Sequence, residues 1–409
     1  MSPEHMDSGN VDRHNPREGA PQWHGDLLGP DYQSMSLVVP ARANGGAPVS
    51  RSGGSGGSRR SGGSGGSEVD GEGGRPASAT FYRATLVRHK PLHSGIQEAA
   101  MPAAEKRQPA DGTGPAVLFI HGWSDYFFNT GLAEFFTSHG FTFYALDLHN
   151  HGRSLDSPEL GGYVADLADY DAEILAAHAI ISAEVEAAER ECAETGSAEK
   201  EFSEAAAGIS RPLILMGHST GGLIAALWAH HHPGLVSHLI LNSPWLEIQG
   251  GPAIRRAASP LVQLADFRPL MRMRVPERSF YWRGISREAY GEWAVDKKLR
   301  PPHAFPVRAG WMRAILAAQQ EVAGGLKLPM PVLVLLSSRS LLGPVWNDQM
   351  LMADVVLDVR SLALRTLSLG NSVTLERIDG ALHEVFLSRE PVRADGYTRL
   401  ARWLRGYVD

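Results

Sequence analysis

The chain has a single cysteine, Cys192, in 409 residues, so no intrachain disulfide can form and nothing suggests the cross-linked framework of a small secreted domain. Long hydrophobic runs are missing as well: none reaches the roughly 18 residues that a bilayer span needs. Residues 1–25 lack the apolar stretch of a signal peptide. Excess charge of one sign is absent, because a net charge of −6 leaves no broad basic surface for a nucleic acid. The expectation is a soluble, cytoplasmic protein with no nucleic-acid partner. Residues 1–78 are also poor in apolar clusters and carry two Gly-Gly-Ser-Gly-Gly-Ser runs, 53–58 and 62–67. Such a stretch buries too little apolar surface to offset the entropy of ordering it, and a disordered, low-complexity tail is expected there.

What is present begins at residue 79, where short apolar runs alternate with longer helical stretches. Residues 80–87 read as an opening antiparallel strand. Buried strands follow at 116–120, 142–146, 213–216, 239–241, 332–336 and 373–378. Helical stretches lie between them, among them 130–139, 165–191 and 222–232. Continuous apolar strands alternating with helices predict an α/β fold with a mostly parallel sheet covered on both faces. Active sites in such sheets lie at the carboxyl ends of the strands, and His121, Asp147, Ser219 and His383 all follow a strand. Residues 171–209 are Ala/Glu-rich and read as a solvated surface helix with a loose polar end.

Gly217-His218-Ser219-Thr220-Gly221 stands between the strand Leu213–Met216 and an apolar helix. Strand, G-x-S-x-G, helix is the pattern of a nucleophile elbow, a turn so tight that side chains at the two glycines would strike the flanking elements. Ser219 is the candidate nucleophile. A serine hydroxyl needs a base and a carboxylate behind it, in the chain order Ser, acid, His. His383, on the loop after the last strand, is the candidate base. The acid belongs on the loop after the fifth strand, where Asp348, Asp354 and Asp358 all fall; Asp354, about four residues before a helix start, is preferred. Backbone N–H groups of Thr220 and Trp123 are the candidate oxyanion donors. The run His230-His231-His232 ends a helix without a further ligand at useful spacing and is set aside as a metal site. His149 and His151 are read as turn residues.

With these motifs in order, the chain resembles the α/β-hydrolase superfamily over about residues 79–409. Ile120-His121-Gly122, Asp147 with His151-Gly152-Arg153-Ser154, Gly217–Gly222 and Gly380-Ala381-Leu382-His383-Glu384 are similar to the serine aminopeptidase, monoacylglycerol lipase and lysophospholipase group. The resemblance implies an α/β-hydrolase fold with a helical cap insertion, a Ser-Asp-His mechanism and no cofactor or metal. That group carries its acid directly after the fifth strand. Here that turn is Ser337-Ser338-Arg339-Ser340, with no carboxylate, whereas Ala353-Asp354-Val355-Val356 resembles the same turn displaced by a short insertion.

The expected organisation is a core in two parts, 79–250 and 329–409, around a cap at 251–328. The cap interleaves Leu261, Val262, Leu264, Phe267, Leu270, Met271, Met273 and Val275 with Arg268, Arg272 and Arg274, and adds Trp282, Trp293 and Trp311. An apolar lid of this kind suits an acyl chain; a lid packed onto the core with its arginines solvated is preferred, and a transient membrane-surface contact through the cap is the alternative. The leading expectation is a serine hydrolase of carboxylic esters, monoacyl lipids or medium-chain esters. Two alternatives stay open: an aminopeptidase or amidase using cap carboxylates such as Glu288 or Glu292, and a catalytically silent binding protein. Epoxide hydrolysis and dehalogenation are disfavoured, because they require an aspartate where Ser219 stands.

Overall fold

A computed structural model describes residues 22–42, 81–91, 114–194, 212–248, 265–273 and 279–408. Nine strands form one sheet: β1 His24–Asp26, β2 Gly29–Pro40, β3 Phe81–His89, β4 Ala116–Ile120, β5 Thr142–Asp147, β6 Leu213–His218, β7 Val236–Asn242, β8 Val332–Ser337 and β9 Val373–Ile378. Their order is β1-β2-β3-β5-β4-β6-β7-β8-β9, antiparallel from β1 through to β5 and parallel from there to β9. The central strands are apolar along their whole length because helices cover both faces, which gives one large core cluster on each side.

Strands β1 and β2 lie inside the stretch expected to be a disordered tail, and correct that expectation. In β2 every second residue from Met35 to Val39 is buried while Val38 faces solvent, and Tyr32, out of step with them, packs in the core on the other side of the sheet. This period-two pattern pairs with β3 in register from Tyr32↔His89 to Pro40↔Phe81. Arg153 then clamps β1 to the core through two bonds of 2.8 Å to the Asp26 carboxylate. The Gly-Ser runs lie outside the described residues.

Helix α1 is Thr130–Ser138, α2 Asp171–Glu194, α3 Thr220–His231, α4 Phe280–Ile285, α5 Ala309–Gly324, α6 Val359–Arg365 and α7 Glu390–Tyr407. Helix α2 is less solvated than its composition suggested. Ile174, Ala177, Ile181 and Val185 form a stripe in the core, and Glu173 is fully buried against His149. Helix α5 falls within the expected cap, yet Trp311, Ile315, Ala318 and Val322 pack in the main core beside α3. We propose that the insertion ends before Ala309, leaving 265–273 and 279–308 as its described part; Leu261, Val262, Leu264, Arg274 and Val275 lie outside the described residues. The insertion rests on a small third core, where Ile285 and Val295 meet Tyr126, Phe128, Leu382 and Leu387. It therefore touches the loop that carries His383.

Candidate active site

The elbow obeys the sterics read from its sequence. Ser219 has φ 52 and ψ −117, a strained conformation for a residue with a Cβ. A Cβ on Gly217 would overlap the Gly221 carbonyl, and one on Gly221 would overlap the carbonyls of Ile120 and His121. Backbone bonds hold the strained turn: Ser219 N–H donates to Asn242 O at 3.0 Å, and Ser219 O accepts from Gly222 (3.0 Å), Leu223 (3.2 Å) and Trp245 (2.9 Å).

His383 Nε2 lies 3.0 Å from Ser219 Oγ, and its Nδ1 lies 2.9 Å from Asp354 Oδ2. Both His383 and Asp354 are buried, while Ser219 is partly accessible. Asp354 Oδ1 accepts the backbone N–H groups of Val356 (2.7 Å) and Leu357 (2.8 Å), so this carboxylate is fixed by its own turn. Its position also explains the missing acid at 337–340. The chain leaves the sheet at that turn, passes through a short 3-10 segment at Asp348–Met352, and returns to bridge Ser340 with Asp354. Asp354 N–H donates to Arg339 O at 3.0 Å, and Leu341 N–H donates to Asp354 O at 2.8 Å. Asp358 instead caps α6 by accepting from Arg360 N–H, and Asp348 opens the 3-10 segment.

The two expected oxyanion positions flank the serine. Thr220 opens α3, where the first N–H groups have no intrahelical acceptor. A Cβ on Gly122 would lie 3.2 Å from the Ser219 Cβ, so the loop bearing Trp123 runs directly against the elbow. Gly122, Trp123, Thr220, Tyr170, Ile224 and Trp311 contribute to the lining of a cavity of about 10 Å3. The Trp123 and Trp311 rings stack at 4.5 Å. His121 is structural: its Nε2 accepts Leu148 N–H at 3.1 Å, so Nδ1 carries the proton toward Gly122 O.

The turn after β5 is built on Asp147. Its Oδ1 accepts Phe127 N–H at 2.9 Å, and its Oδ2 accepts Arg153 N–H at 3.0 Å and Arg153 Nη1 at 2.8 Å. Gly152 has φ 47, and a Cβ there would collide with that carboxylate. Ser154 Oγ closes the turn on Asp147 O at 3.0 Å.

Several site residues had no motif to reveal them. Tyr281 of α4 stands edge-on to His383, with ring centroids 5.3 Å apart, and its hydroxyl is 3.5 Å from His218 Nε2. Arg300 lies over the Tyr281 ring and pairs with buried Asp125 at 2.9 Å. Burial, then the nearby His383, holds His218 well below the usual imidazole range, so it is neutral and donates Nδ1–H to Asn242 O. Glu384 is buried, and that burial pushes its carboxyl up to about 8. Away from the site, Glu321 comes within reach of His230 and His231, a ligand partner 90 positions along the chain that spacing could not show. All three are exposed, at the far end of α3 from Ser219. Glu288 and Glu292 are tied to Lys297 and Arg393.

Among the described residues, no helix is long and apolar enough to cross a membrane. The fold is similar to that of a monoacylglycerol lipase from Paleococcus ferrophilus, 18% identical over 71% of this chain and 95% of that one, with a TM-score of 0.48. A soluble variant of monoglyceride lipase from Saccharomyces cerevisiae, solved with a substrate analog, is 13% identical over 96% of this chain and 97% of that one (TM-score 0.47). Est1E from Butyrivibrio proteoclasticus, with bound ferulic acid, is 16% identical over 73% and 90% (TM-score 0.39). No curated protein sequence matches. The model of the Alpha/beta hydrolase family matches residues 117–395, two-thirds of the sequence and every element of the site, and the chain belongs to that family.

Proposed function

We propose that the protein is a serine hydrolase that cleaves carboxylic esters, monoacyl lipids or medium-chain esters, through an acyl-enzyme on Ser219. The observation that carries this reading is the unbroken hydrogen-bond chain Asp354–His383–Ser219 at 2.9 and 3.0 Å. His383 Nε2 takes the Ser219 proton as Oγ attacks the ester carbonyl, and Asp354 stabilises the imidazolium that forms. The N–H groups of Thr220 and Trp123 hold the oxyanion. Collapse of the tetrahedral intermediate breaks the C–O bond, and His383 returns its proton to the departing alcohol. Water, activated by the same imidazole, then releases the acid.

An aminopeptidase would need a free carboxylate for the substrate ammonium. Glu288 and Glu292 are both engaged by cations, which favours the ester. The cavity beside Trp123 and Thr220 holds about one water, so an acyl chain entering on that side would need the Trp123–Trp311 stack to part. Contact of the cap with a lipid surface belongs to the same proposal, through Phe267, which is 84% exposed.

Hydrolysis of p-nitrophenyl esters from acetate to palmitate is the test, with labelling by a fluorophosphonate. Ser219→Ala is expected to abolish both. Trp311→Ala is expected to raise kcat/KM for the octanoyl and longer esters about tenfold relative to acetate, since one or more methylenes gain a pocket. A wild-type protein inert to every ester and to the probe sinks the hydrolase reading.

A further inference from the structure

We propose that Asn242 and Glu384 are positioning residues that lock the His383 loop to the turn carrying Ser219. The inference rests on the Ser219–His383 reading and concerns what keeps those two groups at bonding distance. Ser219 is held in a strained conformation at the start of α3, and His383 sits on a loop after β9, 164 positions away. One residue at the carboxyl end of β7, Asn242, bonds to Ser219 and to the two residues that follow His383.

The Asn242 backbone carbonyl accepts Ser219 N–H at 3.0 Å and His218 Nδ1–H at 3.1 Å. Its side chain reaches the other way. Asn242 Oδ1 accepts Val385 N–H at 3.3 Å, and Asn242 Nδ2 donates to Glu384 Oε1. Glu384 in turn accepts Phe386 N–H at 3.3 Å, capping the short 3-10 turn that follows His383. Asn129 Nδ2, at the cap of α1, lies 3.5 Å from Glu384 Oε2. Asn242 is fully buried and Glu384 nearly so. Both donor and acceptor of the Asn242 amide are therefore spent on the two residues that follow the base.

A buried clasp between two polar side chains is costly to half-complete, so it tolerates few loop positions. The His383 imidazole is one residue from that anchor, and a shift of the loop by an ångström would part Nε2 from Oγ. Misplacement on that scale costs on the order of a hundredfold in rate. No atom of Asn242 or Glu384 takes part in the proton transfers. Burial raises the Glu384 carboxyl to about 8, and glutamine keeps its shape and the acceptor oxygen toward Asn242 without a charge.

The test measures kcat and KM on the best p-nitrophenyl ester, the fluorophosphonate labelling rate, and Tm, for the full chain. Glu384→Gln is expected to stay within about threefold of wild type. Glu384→Ala is expected to lose about tenfold to a hundredfold in kcat and in labelling rate, with KM within about twofold. Asn242→Ala cuts the clasp from its other side while leaving the backbone carbonyl on Ser219, and the same loss is expected. If Glu384→Ala does not fold, Asn242→Ala decides the matter alone. The double variant is expected to be no slower than the slower single one, because the two residues act as one clasp. Folded variants with a lowered Tm but wild-type kcat and labelling rate would overturn the proposal and leave a structural contact. A wild type that neither turns over nor labels would instead remove the serine-hydrolase reading, and this inference with it.

Discussion

Two buried aspartates sit at the carboxyl ends of two strands and do opposite things. Asp147 ends β5 and Asp354 follows the excursion after β8, and neither is accessible to solvent. In each, one oxygen accepts only backbone N–H groups, Phe127 for Asp147 and Val356 with Leu357 for Asp354. The other oxygen separates them. That of Asp147 faces Arg153, a cation that never gives up its proton and that also binds Asp26 of β1. That of Asp354 faces His383, whose second nitrogen faces a serine hydroxyl. Burial and strand position are shared; the partner separates them, an imidazole facing a serine hydroxyl for Asp354, which the proposed reading uses for chemistry, and a guanidinium for Asp147, which braces the fold.

Asparagine at each position should break the comparison most sharply. In Asp354→Asn the side-chain oxygen still accepts from the 356–357 backbone, but the amide N–H faces His383 Nδ1. The imidazole then carries its proton on Nε2 and cannot accept one from Ser219. The expected result is a fall in kcat of about 10^4 with Tm little changed. An ester assay with a parallel melt reads both; a kcat within tenfold of wild type would move the acid elsewhere.

Asp147→Asn should do the reverse. It removes the carboxylate charge from a buried ion pair and leaves Arg153 with Asp26 alone, a loss of about 3 kcal/mol in stability. The folded fraction should keep kcat within about threefold. Urea melts and active-site titration of the surviving enzyme check this. A kcat deficit as large as that of Asp354→Asn would dissolve the distinction between the two turns.

The same contrast explains what the sequence could reveal. Ser219, His383 and Asp147 each follow a strand within a short motif, and seven strands stood out as apolar runs. Asp354 was harder, because the Ser340–Asp354 bridge that delivers it joins residues on either side of an insertion. Strands β1 and β2 were hidden because an alternation of only three buried residues, Met35, Leu37 and Val39, is followed by a long Gly- and Ser-rich stretch. Asn242, Tyr281 and the Arg300–Asp125 pair carry no motif at all. Their roles arise from contacts across 63 to 175 positions, and only the assembled sheet and the packed insertion bring them together.

Glu384 sharpens the comparison at its weakest point, because this third buried carboxyl meets two asparagine amides and backbone N–H groups where the aspartates meet a cation or an imidazole. Burial raises it from an ordinary carboxylate value to about 8. The sign follows from proton counts. Between about pH 4.5 and 8 the folded chain keeps the Glu384 proton while the unfolded chain has released it, so stability falls as pH rises across that window. Above 8 both states are ionised and the loss is complete. Glu384→Gln has no proton to lose. Its Tm relative to wild type should therefore climb from about pH 5 to pH 8 and level off beyond. His151 and His218, lowered by burial, contribute slopes of their own that are common to both proteins and cancel in the difference, whereas Asp125, raised by burial, also raises Glu384 and is part of the Glu384 contribution being read. A Tm difference flat from about pH 5 to 8 would mean that Glu384 is ionised in the folded chain, and the amide clasp around it would then be holding a charge.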